Sequence, residues 1–246
     1  MSFLCTVSFA NNASYITLSN QMARKRQLEV VANNVANAET IGFQQDEVLL
    51  RSAKNKKSSK KSNSFVFAET TYRSGGQGSL KITNRPTDLA IGGDGYFKLI
   101  TPAGNRYTLD GSMFINNQNL LVNSDGYPYT NNEGQFIEIP EQLQTFEVAQ
   151  DGAIFVDDEE VGRIGVFGFE SEDSLIKEGL RLYKTQGQDA QLEEFTIISG
   201  ALRTSNVNAA LAMARMVEMQ RTVGATNNVM SEVSDLEKTV ITKITK

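Results

Sequence analysis

Four groups of residues in this 246-residue chain have types and spacings suited to chemistry. Gly92-Gly93-Asp94-Gly95 has the glycine density of a phosphate loop. That loop would need a following Lys-Ser/Thr and a helix, and here Tyr96-Phe97 opens a strand pattern, so the reading is a hairpin turn. Asp157-Asp158-Glu159-Glu160 sets four carboxylates side by side, enough charge to attract Ca²⁺. The ligand spacing of an EF-hand and its sixth-position glycine are missing, so the reading is a solvated turn. Paired carboxylates can hydrolyse glycosides without histidine, but nothing in the spacing sets two of them across one cleft. Met213, Met216, Met219 and Met230 carry soft sulfur donors; their helical spacing suits adaptable packing instead.

Composition narrows the chemistry further. The chain has no histidine, so the commonest general base, metal ligand and Ser-His or Cys-His arrangement are all missing. Its single cysteine, Cys5, permits neither an internal disulfide nor a cysteine zinc site. No catalytic, cofactor-binding or metal-binding residue is assigned, and an enzyme is not expected. Apolar residues at 40 % suffice for a sizeable core, and no apolar run reaches the roughly 18 residues that span a bilayer. A net charge of −5 argues against coating nucleic acid. The run Phe3–Ala10 has no basic residue before it, so a cleaved signal peptide is not expected, and a location outside the cytoplasm would require another export route.

Charge divides the chain into three stretches. Residues 1–64 hold nine Lys/Arg against four Asp/Glu; residues 65–204 hold ten against twenty-one; residues 205–246 hold five against four. Much of the first excess lies in Arg51, Lys54, Lys56, Lys57, Lys60 and Lys61, interleaved with Ser and Asn, which reads as a mobile linker.

Two helical patterns flank a β-like middle. Ala209, Ala212, Met216, Met219, Val223, Thr226, Met230, Val233, Glu237, Val240 and Ile244 follow alternating steps of three and four. That is the repeat of a helix lying on a partner helix, ~60 Å long at ~1.5 Å per residue. Thr204, Ser205 and Asn206 are its cap candidates. A second helix is expected from about Ser14 to Asn37, with Leu28, Val31, Val35 and Ala38 on one stripe and Ile16, Ala23 and Val30 on another. Gly42 suits a left-handed residue at its end. Between the helices, Asp-Gly recurs at residues 94, 110, 125 and 151 among short β-rich runs, the pattern of antiparallel hairpins. The expected fold is α+β: long N- and C-terminal helices forming a coiled-coil-type terminal domain, with a central antiparallel all-β domain. The segments are 1–50 helical, 51–79 basic linker and extended connector, 80–185 β, 186–203 extended connector, and 204–246 helical.

Ala32-Asn33-Asn34-Val35-Ala36-Asn37-Ala38-Glu39-Thr40-Ile41-Gly42-Phe43 resembles the "ANNxANxxTxGF" signature of the flagellar rod and hook family. Pro86–Phe97, Tyr107–Phe114 and Leu121–Pro128 are similar to three further segments of that family, and Ser205-Asn206-Val207 and Gln220-Arg221 fall at its C-terminal motifs. Within the family, the short chain and Met22–Leu28 favour the proximal-rod branch over the distal-rod branch. Thr222-Val223-Gly224 departs from the family pattern, where an aromatic and an acid are usual.

The resemblance implies a structural subunit of the flagellar basal-body rod, exported unfolded through the flagellar type III apparatus without a cleaved signal. It would polymerise through its terminal helices into the torque-transmitting shaft across the periplasm. Its partners would be copies of itself, other rod proteins and the export apparatus, with no nucleic acid, small-molecule substrate or membrane insertion. The expected assembly interface comprises Leu28, Val31, Val35, Met216, Met219, Val223, Met230, Val233, Val240 and Ile244 from the stripes, with Asn34 and Asn37 from the signature. A distal-rod or hook-type subunit is the alternative within the family. From another class comes a carbohydrate- or ligand-binding β protein with an oligomerisation helix, whose aromatic candidates are Tyr96, Phe97, Tyr107, Tyr127 and Tyr129.

Overall fold

The computed structural model describes residues 4–54, 64–73, 76–140, 145–169, 174–192 and 194–244. The chain divides into two compact units: Met1–Ala36 with Gln45–Ser74 and Asn208–Lys246, and Asn37–Gln44 with Gly75–Val207.

The first unit contains helix α1 (Leu4–Ala36), strands β1 (Asp46–Lys54) and β2 (Ser64–Arg73), and helix α2 (Ala209–Ile244). Neither helix contains proline, and α2 holds one glycine, Gly224, at a cost of about 1 kcal/mol. α1 lies against α2 on one side and against the β1–β2 ribbon on another, which buries Ala23 and Val30. Gln21 Nε2 donates to Asn227 Oδ1 at 2.5 Å across the helix pair. The Asn206 N–H donates to the Phe43 carbonyl at 3.3 Å, tying the chain after α1 to the chain before α2, so the helices run antiparallel. The ribbon is antiparallel, Asp46 opposite Arg73 and Lys54 opposite Ser64, with a register shift between Leu49 and Leu50. Its Val, Phe, Thr and Tyr residues suit a pleated surface. A lone two-stranded hairpin is marginal in water, so its packing on α1 matters to its stability.

Among the described residues, the second unit has fifteen strands. In chain order they are β3 (Leu80–Ile82), β4 (Leu89–Ile91), β5 (Tyr96–Thr101), β6 (Gly104–Thr108), β7 (Phe114–Ile115) and β8 (Leu121–Val122). Then come β9 (Phe146–Val148), β10 (Ala153–Val156), β11 (Glu159–Arg163), β12 (Val166–Gly168), β13 (Leu175–Glu178) and β14 (Leu182–Thr185). β15 (Ala190–Gln191), β16 (Ile197–Ser199) and β17 (Ala201–Arg203) complete the set. A six-stranded sheet has the order β13-β14-β6-β5-β12-β15, and a second has the order β11-β10-β9. β16-β4, β17-β3 and β7-β8 form separate two-stranded antiparallel pairs. The main core gathers Leu89, Phe97, Leu99, Met113, Leu121, Tyr129, Ile154 and Ile164. A second cluster stacks Tyr96, Tyr107, Phe167 and Tyr183, with Tyr107 meeting Phe169 edge-on at 4.8 Å. Lys98 Nζ reaches Asp189 Oδ2 at 2.7 Å beside Tyr107. Burial pushes the Asp189 carboxyl up, yet the Lys98 ammonium and the Tyr107 hydroxyl outweigh it and hold Asp189 below the usual range. Burial and the bond to Asp189 push the Tyr107 hydroxyl up.

The hairpin turns repeat one device. The carboxamide oxygens of Asn116, Asn123 and Asn131 each accept the N–H groups two and four residues on, at 2.8–3.0 Å. The fourth residue of each turn, Asn119, Gly126 and Gly134, is left-handed. These are type I turns closed by a left-handed bulge residue. At residues 125–126 and 151–152 only the glycine of Asp-Gly has positive φ, so these are not the two-residue turns that the dipeptide suggests. Among the described residues, both residues of a two-residue turn are left-handed at Asp157-Asp158 alone. Asp110-Gly111 is not a hairpin at all: a Cβ on Gly111 would collide with the Leu89 carbonyl oxygen at 1.7 Å, so the glycine permits close strand packing.

The coiled-coil-type terminal domain is corrected by this architecture. The chain is α+β, with one helix at each end and a largely β centre, but the helices do not form a coiled coil. Among its described residues, the α2 stripe is only half-buried from Ala209 to Met230, so no closed seam of knobs and holes exists. The other neighbour of α1 is a β ribbon, not a helix. Residues 51–54 and 64–73, which composition reads as part of a linker and connector, run as strands; Lys56, Lys57, Lys60 and Lys61 lie outside the described residues.

Candidate assembly surfaces

α2 starts at Asn208, whose Oδ1 accepts the Leu211 N–H at 3.0 Å while its carbonyl accepts the Ala212 N–H at 2.9 Å. The expected caps are otherwise engaged. Thr204 Oγ1 donates to the Ser79 carbonyl, Ser205 Oγ accepts from the Val207 N–H, and Asn206 Nδ2 donates to the Gly76 carbonyl. From Asn208 the helix runs with Met216, Met219, Val223 and Met230 half-buried along one line. The side chains of Val233, Val240 and Ile244 lie outside the described residues.

Two other faces of α2 are apolar and open. Leu211, Val229 and Leu236 are all exposed, Leu236 at 65 %. The 18 residues between the first two make about five turns and the next seven make about two, so they share one face. Met213 and Val217 are exposed on another face, and Gly224 falls seven residues after Val217 with open space where a Cβ would sit. α1 likewise exposes Leu18 and Met22, one turn apart. Apolar residues all around a helix call for several neighbours, and within this chain α2 has α1. Leu211, Val229 and Leu236 lie off the strongest repeat, and their spacings of eighteen and seven are what marks them in the sequence.

The signature segment works inside the chain. Leu28, Val31 and Val35 are half-buried on α1, while Asn34 and Asn37 are buried. Asn34 Nδ2 donates to the Asp46 carbonyl at 2.8 Å, and Asn34 Oδ1 accepts the Asp46 N–H at 3.0 Å. This side-chain amide behaves as one more peptide at the root of β1. Asn37 Oδ1 accepts the Thr40 hydroxyl at 3.1 Å.

Gly42 lies beyond the helix, which ends at Ala36, so it is not the helix cap that its position suggested. Its φ is +68°, its N–H donates to the Arg203 carbonyl at 2.8 Å, and a Cβ there would sit 2.7 Å from the Asp110 nitrogen. Phe43 is fully buried, with Lys177 Nζ 3.8 Å above its ring. Asp110, against which Gly42 packs, is a buried polar hub. It accepts from Arg181 Nη1 at 2.7 Å and from the Ser112 N–H at 2.9 Å, and its carbonyl accepts the Tyr129 hydroxyl at 2.8 Å. Arg203 donates to the Gly78 and Ile91 carbonyls, and burial lowers its guanidinium pKa.

The competing ligand-binding reading needed a concave aromatic surface. Tyr96, Phe97, Tyr107 and Tyr129 are buried in the core instead, and Tyr127 is half-buried against it. Asp157 Oδ1 accepts the Thr145 N–H at 2.8 Å, a structural task for one of the four clustered acids.

Comparison with known proteins agrees with this layout. Residues 15–44 match the family described as "Flagella basal body rod protein". Residues 90–156 match "Flagellar hook protein FlgE/F/G D1 domain", and residues 198–243 match "Flagellar basal body rod FlgEFG protein C-terminal". The flagellar basal-body rod protein FlgF of Caulobacter vibrioides is 31 % identical over 242 residues, 96 % of this chain and 99 % of that protein. FlgF of Mesorhizobium japonicum is 33 % identical over 223 residues, 89 % of this chain and 92 % of that protein. FlgG of Bacillus subtilis is 30 % identical over 235 residues, 84 % of this chain and 89 % of that protein. The chain belongs to the flagellar basal-body rod protein family, more FlgF-like than FlgG-like, and is a structural rod subunit of the basal body.

Proposed function

We propose that this subunit is held in the rod through its terminal segments, residues 1–50 and 204–246, with the β unit outside that contact. The observation that carries the reading is the row Leu211, Val229 and Leu236 on α2, exposed and on a different face from the half-buried line Ala209–Met230. Neighbouring subunits of the same rod, copies of this chain or other rod proteins, would cover that row and the Met213–Val217 face. One face meeting a different face on the next subunit gives open helical growth, as a shaft requires. The half-buried Leu28, Val31, Val35, Met216, Met219, Val223 and Met230 would then become fully buried, with Val233, Val240 and Ile244 continuing the line. Asn34 and Asn37 would contribute by fixing the exit of α1.

The finer reading is a torque-transmitting element across the periplasm, reached through the flagellar type III export apparatus without cleavage of a leader. Helices that find their full packing only among neighbours suit that route, since isolated helical segments are marginal in water. The test is a chromosomal Leu236→Asp substitution. The purified variant should keep the circular dichroism of the β unit, yet cells should lose motility and the protein should be missing from basal bodies. Normal motility with normal incorporation would refute the proposal.

A further inference from the structure

Five of the seven methionines lie on the two helices, and they differ sharply in access from the one in the β core. Met22 on α1 is 65 % exposed and Met213 on α2 is 52 % exposed. Met216, Met219 and Met230 are half-buried along one line of α2, the helix that packs against α1. Met113 is fully buried in the main core of the β unit.

We propose that, among the described methionines, those on the helices are the preferred sites of two-electron oxidation by hydroperoxides, and that their sulfoxides loosen the pairing of α1 with α2. The thioether sulfur attacks one oxygen of hydrogen peroxide. The O–O bond breaks, an S–O bond forms, and water leaves; sulfur is oxidised by two electrons and peroxide is reduced. Susceptibility follows access, so Met22 and Met213 react first, the half-buried line next, and Met113 last. The product matters most on the half-buried line. A flexible apolar side chain becomes a polar, chiral one with a strong acceptor oxygen, which resists leaving water. Oxidation of Met216, Met219 and Met230 therefore weakens the contact with α1, while Met22 and Met213 change a surface that is already wet. The inference concerns the chain alone and holds whatever the helices assemble with.

The experiment treats the purified full-length chain with hydrogen peroxide and follows each methionine peptide by mass spectrometry, alongside thermal melting of the helical signal at 222 nm. Met22 and Met213 should convert fully while Met113 stays unmodified, and the helical melting midpoint should fall as Met216, Met219 and Met230 convert. Methionine sulfoxide reductases should restore the midpoint. A triple variant, Met216→Leu, Met219→Leu and Met230→Leu, keeps apolar volume. It should hold its midpoint in peroxide even after Met22 and Met213 are oxidised. Oxidation of Met113 at the pace of Met22 would overturn the proposal. So would an unmoved midpoint after complete conversion of the half-buried line, or an equal loss in the triple variant.

Discussion

Asn34 and Asp46 meet as a side-chain amide facing a backbone peptide, with bonds of 2.8 and 3.0 Å in opposite directions. This clamp joins the last turns of α1 to the first residue of β1. Asn34→Ala leaves both backbone groups of Asp46 without that partner, at a cost of about 1–3 kcal/mol. Asn34→Asp keeps the acceptor but sets a carboxylate against a carbonyl and should do no better. Hydrogen exchange at the Asp46 amide should speed up in both variants; unchanged protection would show that the clamp contributes nothing.

Gly42 meets two demands at once, φ of +68° and a Cβ position 2.7 Å from the Asp110 nitrogen. Gly42→Ala should destabilise the β unit by more than ~1 kcal/mol, because neither the backbone angle nor the facing main chain can give way cheaply. Thermal melting of the variant checks this, and a midpoint equal to the parent's would contradict it.

Arg181 holds the buried Asp110 carboxylate and also reaches Ser124 Oγ at 2.8 Å. Arg181→Met should cost on the order of 2–3 kcal/mol, below the figure for a fully buried pair because Arg181 is partly hydrated. Asp110→Asn combined with Arg181→Met should recover part of that loss, since the charge left alone is removed. A denaturant series on the two variants decides it: no recovery in the double variant would place the cost elsewhere.

Asp189, with its pKa held below the ordinary carboxylate range, gives the fold a pH dependence. A depressed carboxylate contributes stability that is full above its unfolded pKa and is lost as pH falls through the folded one. Asp189→Asn should therefore melt earlier than the parent at neutral pH. The gap should shrink as pH drops below the ordinary carboxylate range. A gap that is constant from neutral to acid would assign the effect to packing rather than charge.

Periodicity was informative where one face of an element meets one neighbour. The alternating steps from Ala209 to Met230 pick out the residues of α2 that are half-buried, because helical geometry maps directly onto spacing. The same pattern overstated the packing, since a stripe shows which side is apolar and not how many helices cover it. The β1–β2 ribbon was hidden by the Lys- and Ser-rich stretch between its strands, where composition outweighed the aromatic and β-branched residues of Ser64–Arg73. Asn208 does not stand out as the cap in the sequence, because Thr204, Ser205 and Asn206 are equally good cap residues; their bonds to distant backbone groups are not visible there. Asp110-Gly111 carries a turn signal in the sequence, and only the fold reveals Asp110 as a buried partner of Arg181 some seventy positions away.

The central claim is that the open face of α2 is covered by another rod subunit. A photo-crosslinking amino acid placed at Val229 and activated in intact cells tests it most directly. Basal bodies purified from those cells should carry this chain joined through residue 229 to a second rod subunit. Efficient incorporation with crosslinks only within the chain itself, or to water alone, would contradict the account.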